Sequence, residues 1–162
     1  MTCRVIFCIL VLTMATEAGT PNEWHGLVPL TSTRTDVEKV LGSPTDARLN
    51  LYETKDEKVT IFYSRGKCSE NKISVWNIPS DTVIRIIVSP KEEYEVSNLV
   101  EKLNISFKKA PDPEIRGIFT YVNEDSSIQF QTKVSKGIED VLFVVYGPRQ
   151  TDSALRCSRL TN

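Results

Sequence analysis

Cysteine and histidine are the residues of this 162-residue chain that act most readily as nucleophiles or metal ligands, and it holds four cysteines and one histidine. Cys3 and Cys8 lie in an apolar N-terminal segment, whereas Cys68 and Cys157 lie in the more polar remainder. A nucleophilic thiol needs a neighbouring base, for which His25 is the one histidine in the sequence. If the chain is exported, a disulfide between Cys68 and Cys157 is the simpler expectation.

The first 18 residues have the layout of a secretory signal peptide. Arg4 supplies the positive charge, residues 5–14 form an uncharged and mostly apolar run, and small residues allow cleavage after Ala15 or Ala18. A membrane anchor needs roughly 20 apolar residues to cross the hydrocarbon, which this run does not supply. We therefore expect a secreted or periplasmic protein that keeps no transmembrane anchor after signal cleavage.

Signatures of common catalytic sites are missing from the sequence. It contains no Gly-x-Ser-x-Gly elbow, no Gly-x-x-x-x-Gly-Lys phosphate loop and no Gly-x-Gly-x-x-Gly turn. One histidine near the N-terminus argues against a Ser-His-Asp triad, and with two cysteines bridged a zinc site lacks ligands. The sequence predicts a protein that is not an enzyme and has no cofactor and no metal.

Clustered carboxylates leave a hydrolase as an alternative. Two carboxylates at a suitable separation can hydrolyse a glycosidic bond, but solvated loops explain the clusters of this chain more simply. The clusters are Asp112 with Glu114, and Glu92, Glu93 and Glu95 around Tyr94.

A calcium loop is the other alternative for acidic residues. Asn123, Asp125 and Ser127 stand at alternate positions, as the first ligands of such a loop do. The sixth position is Ile128 instead of glycine, and the twelfth is Val134 instead of glutamate. A polar hairpin turn is the better interpretation.

Two tryptophans and their neighbours are the candidate partner-binding residues. Trp24 with His25, and Trp76 with Asn77, are not required by an alternating core pattern. The alternative is that both tryptophans close the ends of the core, because large rings are usually buried. The formal net charge of -1, from 20 Lys and Arg against 21 Asp and Glu, argues against nucleic acid as the partner.

The clearest helix follows Thr33, which can cap the first turn together with Asp36 in a capping box. Val37, Val40 and Leu41 form one apolar stripe of that helix. Gly42 supplies a left-handed C-terminal cap, and Pro44 prevents the helix from continuing.

Alternating apolar residues predict several strands around a second helix. That second helix carries Val96, Leu99, Val100 and Leu103 at helical spacing, with Glu95 or Ser97 near its start. The expected strands cover residues 47–53, 58–64, 73–78, 82–89, 105–110, 117–123, 128–134 and 140–146. These elements predict one α+β domain over residues 19–162, made of two similar halves at about 24–90 and 91–162. Each half is a helix followed by an antiparallel sheet, and the helices pack on one face of the sheet.

The stretch from Thr33 to Pro44 resembles the helix of small bacterial outer-membrane assembly lipoproteins of the SmpA/OmlA type. In that family a capping threonine, a valine four residues on, a Leu-Gly pair and a proline precede an antiparallel hairpin. The fold is shared with β-lactamase inhibitor protein-like (BLIP-like) domains, which carry two such repeats in tandem. The resemblance implies a noncatalytic extracytoplasmic module that binds or assembles with another protein. The alternative function is a carbohydrate-binding protein or hydrolase that uses loop carboxylates and tryptophans.

Overall fold

The computed structural model describes residues 22–69 and 74–158, so the expected signal peptide lies outside the described residues. The elements, in chain order, are α1 (Arg34–Leu41), β1 (Leu51–Glu53), β2 (Glu57–Tyr63), β3 (Val83–Pro90), α2 (Val96–Leu103), β4 (Phe107–Pro111), β5 (Ile118–Asn123), β6 (Ile128–Ser135), β7 (Ile138–Tyr146) and a 3-10 helix, η1 (Gln150–Leu155).

All of these strands belong to one antiparallel sheet with the order β1-β2-β3-β7-β6-β5-β4. The strands that follow α1 meet those that follow α2 at the pairing of β3 with β7, where Ile86 faces Tyr146 and Val88 faces Val144. This pairing makes β1 and β4 the edges of the sheet. The predicted α+β class with an antiparallel sheet is confirmed.

Alternate side chains of the strands form a single hydrophobic core. Ile61, Ile86 and Phe130 are 1% exposed or less, as period-two alternation requires of the covered face. Val37 of α1 and Leu99 of α2 belong to the same core cluster as these strand residues.

Helix α1 begins as its sequence predicts and differs at its other end. Thr33 and Asp36 form the expected capping box, and the pKa of Asp36 falls to about 2, mainly because the Thr33 backbone N–H donates to it. Gly42 has the expected positive φ of 76°, but its ψ of -159° is not that of a left-handed helical cap. Val40 is 47% exposed, so only Val37 and Leu41 pack against the core.

The first expected strand is shorter than predicted because a local turn replaces its beginning. The carboxylate of Asp46 accepts hydrogen bonds from the backbone N–H groups of Arg48 and Leu49. This arrangement holds the chain in a turn instead of an extended strand. Leu49 is consequently 62% exposed, and β1 starts only at Leu51.

The expected strand at 73–78 is wrong for the residues that the structure describes there. Residues 74–78 lie outside every strand, and Trp76 makes only an isolated bridge with Arg156. The six remaining expected strands are present, each with its bounds shifted by no more than two residues. The stripe of α2 is also confirmed, since Leu99 is buried and Val96, Val100 and Leu103 pack against the core.

Candidate functional site

Within residues 22–69 and 74–158, one face of the sheet carries no member of the core cluster. Phe62, which pairs with Arg85, is 46% exposed, and Ile87 pairs with Val145 on the same side of the neighbouring strands. Ile87, Val145 and Phe143 are half-buried, and Arg85 is exposed. We call these five side chains the open face, whose centre is apolar.

A cleft of about 580 Å³ lies at one end of the open face. Arg85 and Val145 of the open face line it, together with Arg149 and Arg156 from the chain after β7. The other lining residues are uncharged: Val75, Trp76, Ile84, Ser126, Ser127, Gln129, Gly147, Pro148, Gln150 and Ser153. We call it the arginine cleft, because its lining contains three arginines and, among the residues that the structure describes, no carboxylate.

The predicted disulfide is present and stands beside this cleft. Cys68 and Cys157 are bonded, with their Cα atoms 5.7 Å apart. The backbone N–H of Cys157 donates to the carbonyl of Val75 at 2.9 Å, and that of Asn77 donates to the carbonyl of Leu155 at 2.7 Å. Hydrogen bonds therefore join the segment around Trp76 to the end of η1 as one wall of the cleft, and the disulfide links Cys157 at the end of this wall to Cys68.

The three guanidinium groups differ in their partners. Arg149 donates from one Nη to the side-chain oxygen of Asn22 at 3.2 Å, and its Nε lies 3.9 Å from a carboxylate oxygen of Asp125. That buried Nε has no hydrogen-bond acceptor among the described residues. Arg156 lies over the ring of Trp76, 5.0 Å from its centroid. Within residues 22–69 and 74–158, the side chain of Arg85 makes no hydrogen bond or ion pair.

The turn that supplies the base of the cleft is the one weighed above as a calcium loop. Asp125 accepts hydrogen bonds from the backbone N–H and hydroxyl of Ser127 and from the amide of Asn123. Burial acts to raise the pKa of Asp125, but these hydrogen bonds and Arg149 lower it overall. No group of three potential metal ligands occurs in the part of the chain that the structure describes. The hydrogen bonds that Asp125 accepts from Asn123 and Ser127 are those of a polar hairpin turn.

A second cleft, of about 730 Å³, opens on the core side of the sheet. Trp24, His25, Tyr94 and Tyr146 line it, and we call it the tyrosine cleft. Burial raises the pKa of Tyr146, and the nearby Glu57 and Tyr94 raise it further, so its hydroxyl keeps its proton at neutral pH. The charged lining is mixed: Lys55, Asp56, Glu57, Lys91, Glu92, Glu93 and Lys102.

The four candidate partner-binding residues do not form one patch. Trp24 and His25 line the tyrosine cleft, Trp76 lines the arginine cleft, and Asn77 is exposed and lines neither. Both indoles are only 6% exposed, so their rings close the core more than they present a flat surface. The partner-binding role of these residues stays a prediction.

The arginines of the arginine cleft were not recognised from the sequence. They are scattered along the chain, and no local pattern marks them as a set. One signal was available for Arg156, because it precedes Cys157 and the expected disulfide places it beside Cys68. Nothing comparable marks Arg85.

Comparisons with known proteins identify no family for this chain. No protein family and no curated protein matches it. Among solved structures it is similar to a DUF4309 family protein (YjgB) from Bacillus subtilis subsp. subtilis str. 168, with 14% sequence identity and a TM-score of 0.45 over 76% of this chain and 83% of that chain. This likeness is too low to support any statement about function. No helix among residues 22–69 and 74–158 is long and apolar enough to cross a membrane.

Proposed function

We propose that this protein is an exported, noncatalytic module that binds another extracytoplasmic protein through the open face. The observation that carries the proposal is the apolar centre of that face, which the core does not cover. Protein interfaces combine an apolar, charge-depleted centre with a polar rim, and a contiguous exposed apolar patch commonly marks such a site. Ile87, Phe143 and Val145 would form the centre, and Arg85 would stand at the rim.

The edges of the sheet are less suited to binding than its face. A partner strand added to an edge needs a free row of backbone groups. Strand β4 carries Lys108, Lys109 and Pro111, residue types that block pairing at edges, and β1 is only three residues long. The open face is therefore a better binding surface for a partner protein than either edge of the sheet.

Export and the tandem architecture belong to the same proposal. The disulfide between Cys68 and Cys157 supports an oxidising compartment outside the cytoplasm, which suits a secreted or periplasmic protein with a cleaved signal. The order of one helix and three strands, then one helix and four strands, supports two related halves. With the first helix as the shared element, this order also supports a BLIP-like or SmpA/OmlA-like assembly role.

Two matched variants test the proposed binding face. Phe62 on the open face and Val40 on α1 are apolar and equally exposed, at 46% and 47%. The tagged mature protein is incubated with culture fluid or envelope extract of its source, and captured proteins are compared between wild type, Phe62→Asp and Val40→Asp. We expect a captured protein to be lost from Phe62→Asp and retained by Val40→Asp. Equal capture by all three proteins would refute binding at the open face.

A carbohydrate ligand is the second candidate function, and the tyrosine cleft is the observation that favours it. Aromatic rings stack on the apolar faces of sugars, and carboxylates accept hydrogen bonds from sugar hydroxyls. Trp24 and Tyr94 line this cleft together with Glu92 and Glu93. Saturable binding of neutral oligosaccharides that is abolished by Tyr94→Ala, without any captured protein, would place this function first.

A further inference from the structure

We infer that the arginine cleft binds the carboxylates of an acidic segment of the partner protein. This inference rests on the proposed function, because the same partner would cover the open face beside the cleft. It adds the chemistry of the partner, which the apolar face alone does not define.

Charge is the first argument for an anionic ligand. Arg85, Arg149 and Arg156 line one cleft in a chain whose formal net charge is -1, so positive charge is concentrated here against the average. A cleft lined by charge of one sign raises the local concentration of ligands of the opposite sign. The three arginines therefore favour an anion as the ligand.

The nearby carboxylates offset the charge of these arginines only in part. Asp125 approaches Arg149 only to 3.9 Å and accepts its shorter hydrogen bonds from the turn around Ser127. Asp152 accepts the backbone N–H of Arg149 at 2.7 Å, as the cap of η1. Neither contributes to the lining of the cleft, and Arg85 has no acidic partner among the described residues.

The construction of the cleft suits oxygen anions. Guanidinium groups bind carboxylates through paired N–H donors, and the hydroxyls of Ser126 and Ser153 add uncharged donors to the lining. The disulfide fixes the wall that carries Arg156, and the ring of Trp76 lies beneath its guanidinium. A donor held in place before binding loses less side-chain freedom when the ligand arrives.

The apolar open face indicates which kind of anionic ligand can bind in the arginine cleft. The cleft and the open face share Arg85 and Val145, so a ligand in the cleft continues over Ile87 and Phe143. A protein segment offers carboxylates and apolar side chains together. Inorganic phosphate and sulfated polysaccharides offer anions without apolar groups, and they would leave the apolar centre of the open face uncovered.

The test uses the mature protein and two rhodamine-labelled peptides. One peptide has glutamates interspersed with phenylalanines, and the other has glutamine in place of every glutamate. Fluorescence anisotropy is measured for wild type, Arg85→Gln, Arg156→Gln and the control Arg116→Gln, an exposed arginine outside the cleft. We expect the glutamate peptide to bind wild type and Arg116→Gln equally, and to bind each cleft variant about tenfold more weakly. Added salt should weaken binding, and the glutamine peptide should bind poorly.

Other outcomes separate this inference from the proposed function. If inorganic phosphate or heparin binds with the same arginine dependence and the glutamate peptide does not, the acidic protein segment is wrong and a different anion occupies the cleft. The capture experiment is repeated with Arg85→Gln and Arg156→Gln. A partner that is lost with Phe62→Asp but kept by both arginine variants would leave the binding face intact and overturn the acidic segment.

Discussion

At the scale of single residues, the carboxylate of Glu139 on β7 forms hydrogen bonds with side chains of the three strands β6, β5 and β4. One oxygen of its carboxylate accepts hydrogen bonds from the hydroxyls of Tyr121 and Thr132, at 3.0 and 2.6 Å. Its other oxygen accepts from Lys109 at 2.7 Å, and that ammonium lies 4.0 Å from the centroid of Phe119. Burial acts to raise the pKa of Glu139, but the three donors outweigh it and lower the pKa.

Replacing Glu139 by glutamine tests how much these interactions stabilise the fold. Glu139→Gln keeps the shape but removes the charge that Lys109 pairs with, so we expect a loss of about 1 to 2 kcal/mol in the free energy of unfolding at neutral pH. Glu124→Gln, at an exposed glutamate of the hairpin turn, is the control and should change little. Urea unfolding at several pH values is the measurement.

The pH dependence of that difference follows from the direction of the shift. Because folding lowers the pKa of Glu139, the charged form stabilises the folded state above the unfolded pKa of about 4.3. This contribution is lost as the pH falls through the lowered folded value. The difference in unfolding free energy between wild type and Glu139→Gln should therefore disappear in acid. A difference that is constant with pH would contradict a role for the carboxylate charge.

At the scale of elements, the φ angles of two glycines predict that replacement by alanine has opposite effects on stability at the two positions. Gly42 ends α1 with a φ of 76°, a conformation that costs an L-residue free energy, whereas Gly147 follows β7 without a positive φ. An added Cβ would meet no atom within 4 Å at either position, so packing does not separate them. Gly42→Ala should lower the melting temperature by the equivalent of about 1 kcal/mol, and Gly147→Ala should raise it slightly. Destabilisation of both to the same extent would show that φ is not the cause.

The disulfide predicts a joint effect on stability and on the arginine cleft. Replacing both Cys68 and Cys157 by serine should cost about 2 to 5 kcal/mol of unfolding free energy, because the unfolded chain gains freedom. Arg156 also loses the covalent anchor at its neighbour Cys157, so the glutamate peptide should bind more weakly at temperatures where the variant is still folded. Ser69→Ala with Ser158→Ala, at exposed neighbours of the two cysteines, serves as the control. Unchanged peptide affinity in the folded variant would mean that backbone hydrogen bonds alone hold the wall.

Elements defined by local contacts were the ones that sequence could predict. The capping box of Thr33 and Asp36 spans four residues, and the alternation of β2 or β6 is visible within a single strand. The turn at Asp46 was missed although its signal is equally local, because the apolar alternation through Leu49 imitated a strand. The arginine cleft could not be predicted, because it depends on the pairing of β3 with β7, which joins residues far apart in the sequence.

At the scale of the whole molecule, the sheet separates the two clefts. Val145 lines the arginine cleft, and its neighbours Val144 and Tyr146 line the tyrosine cleft, because successive side chains of β7 point to opposite faces. Each cleft also holds one of the two tryptophans of the chain. The intrinsic fluorescence of this protein can therefore report on each cleft separately.

This separation predicts which indole responds to an acidic ligand. Trp24→Phe leaves only Trp76, whose ring lies 5.0 Å from the guanidinium of Arg156, and Trp76→Phe leaves only Trp24, which packs edge-on to His25. Each indole is 6% exposed, so a soluble quencher should reach either one much less in the folded protein than in urea. Addition of the glutamate peptide should change the emission of Trp76 and leave that of Trp24 unchanged, provided that circular dichroism shows both variants folded. A response of Trp24 alone would move the anion to the tyrosine cleft, and an equal response of both would show that the sheet transmits binding from one face to the other.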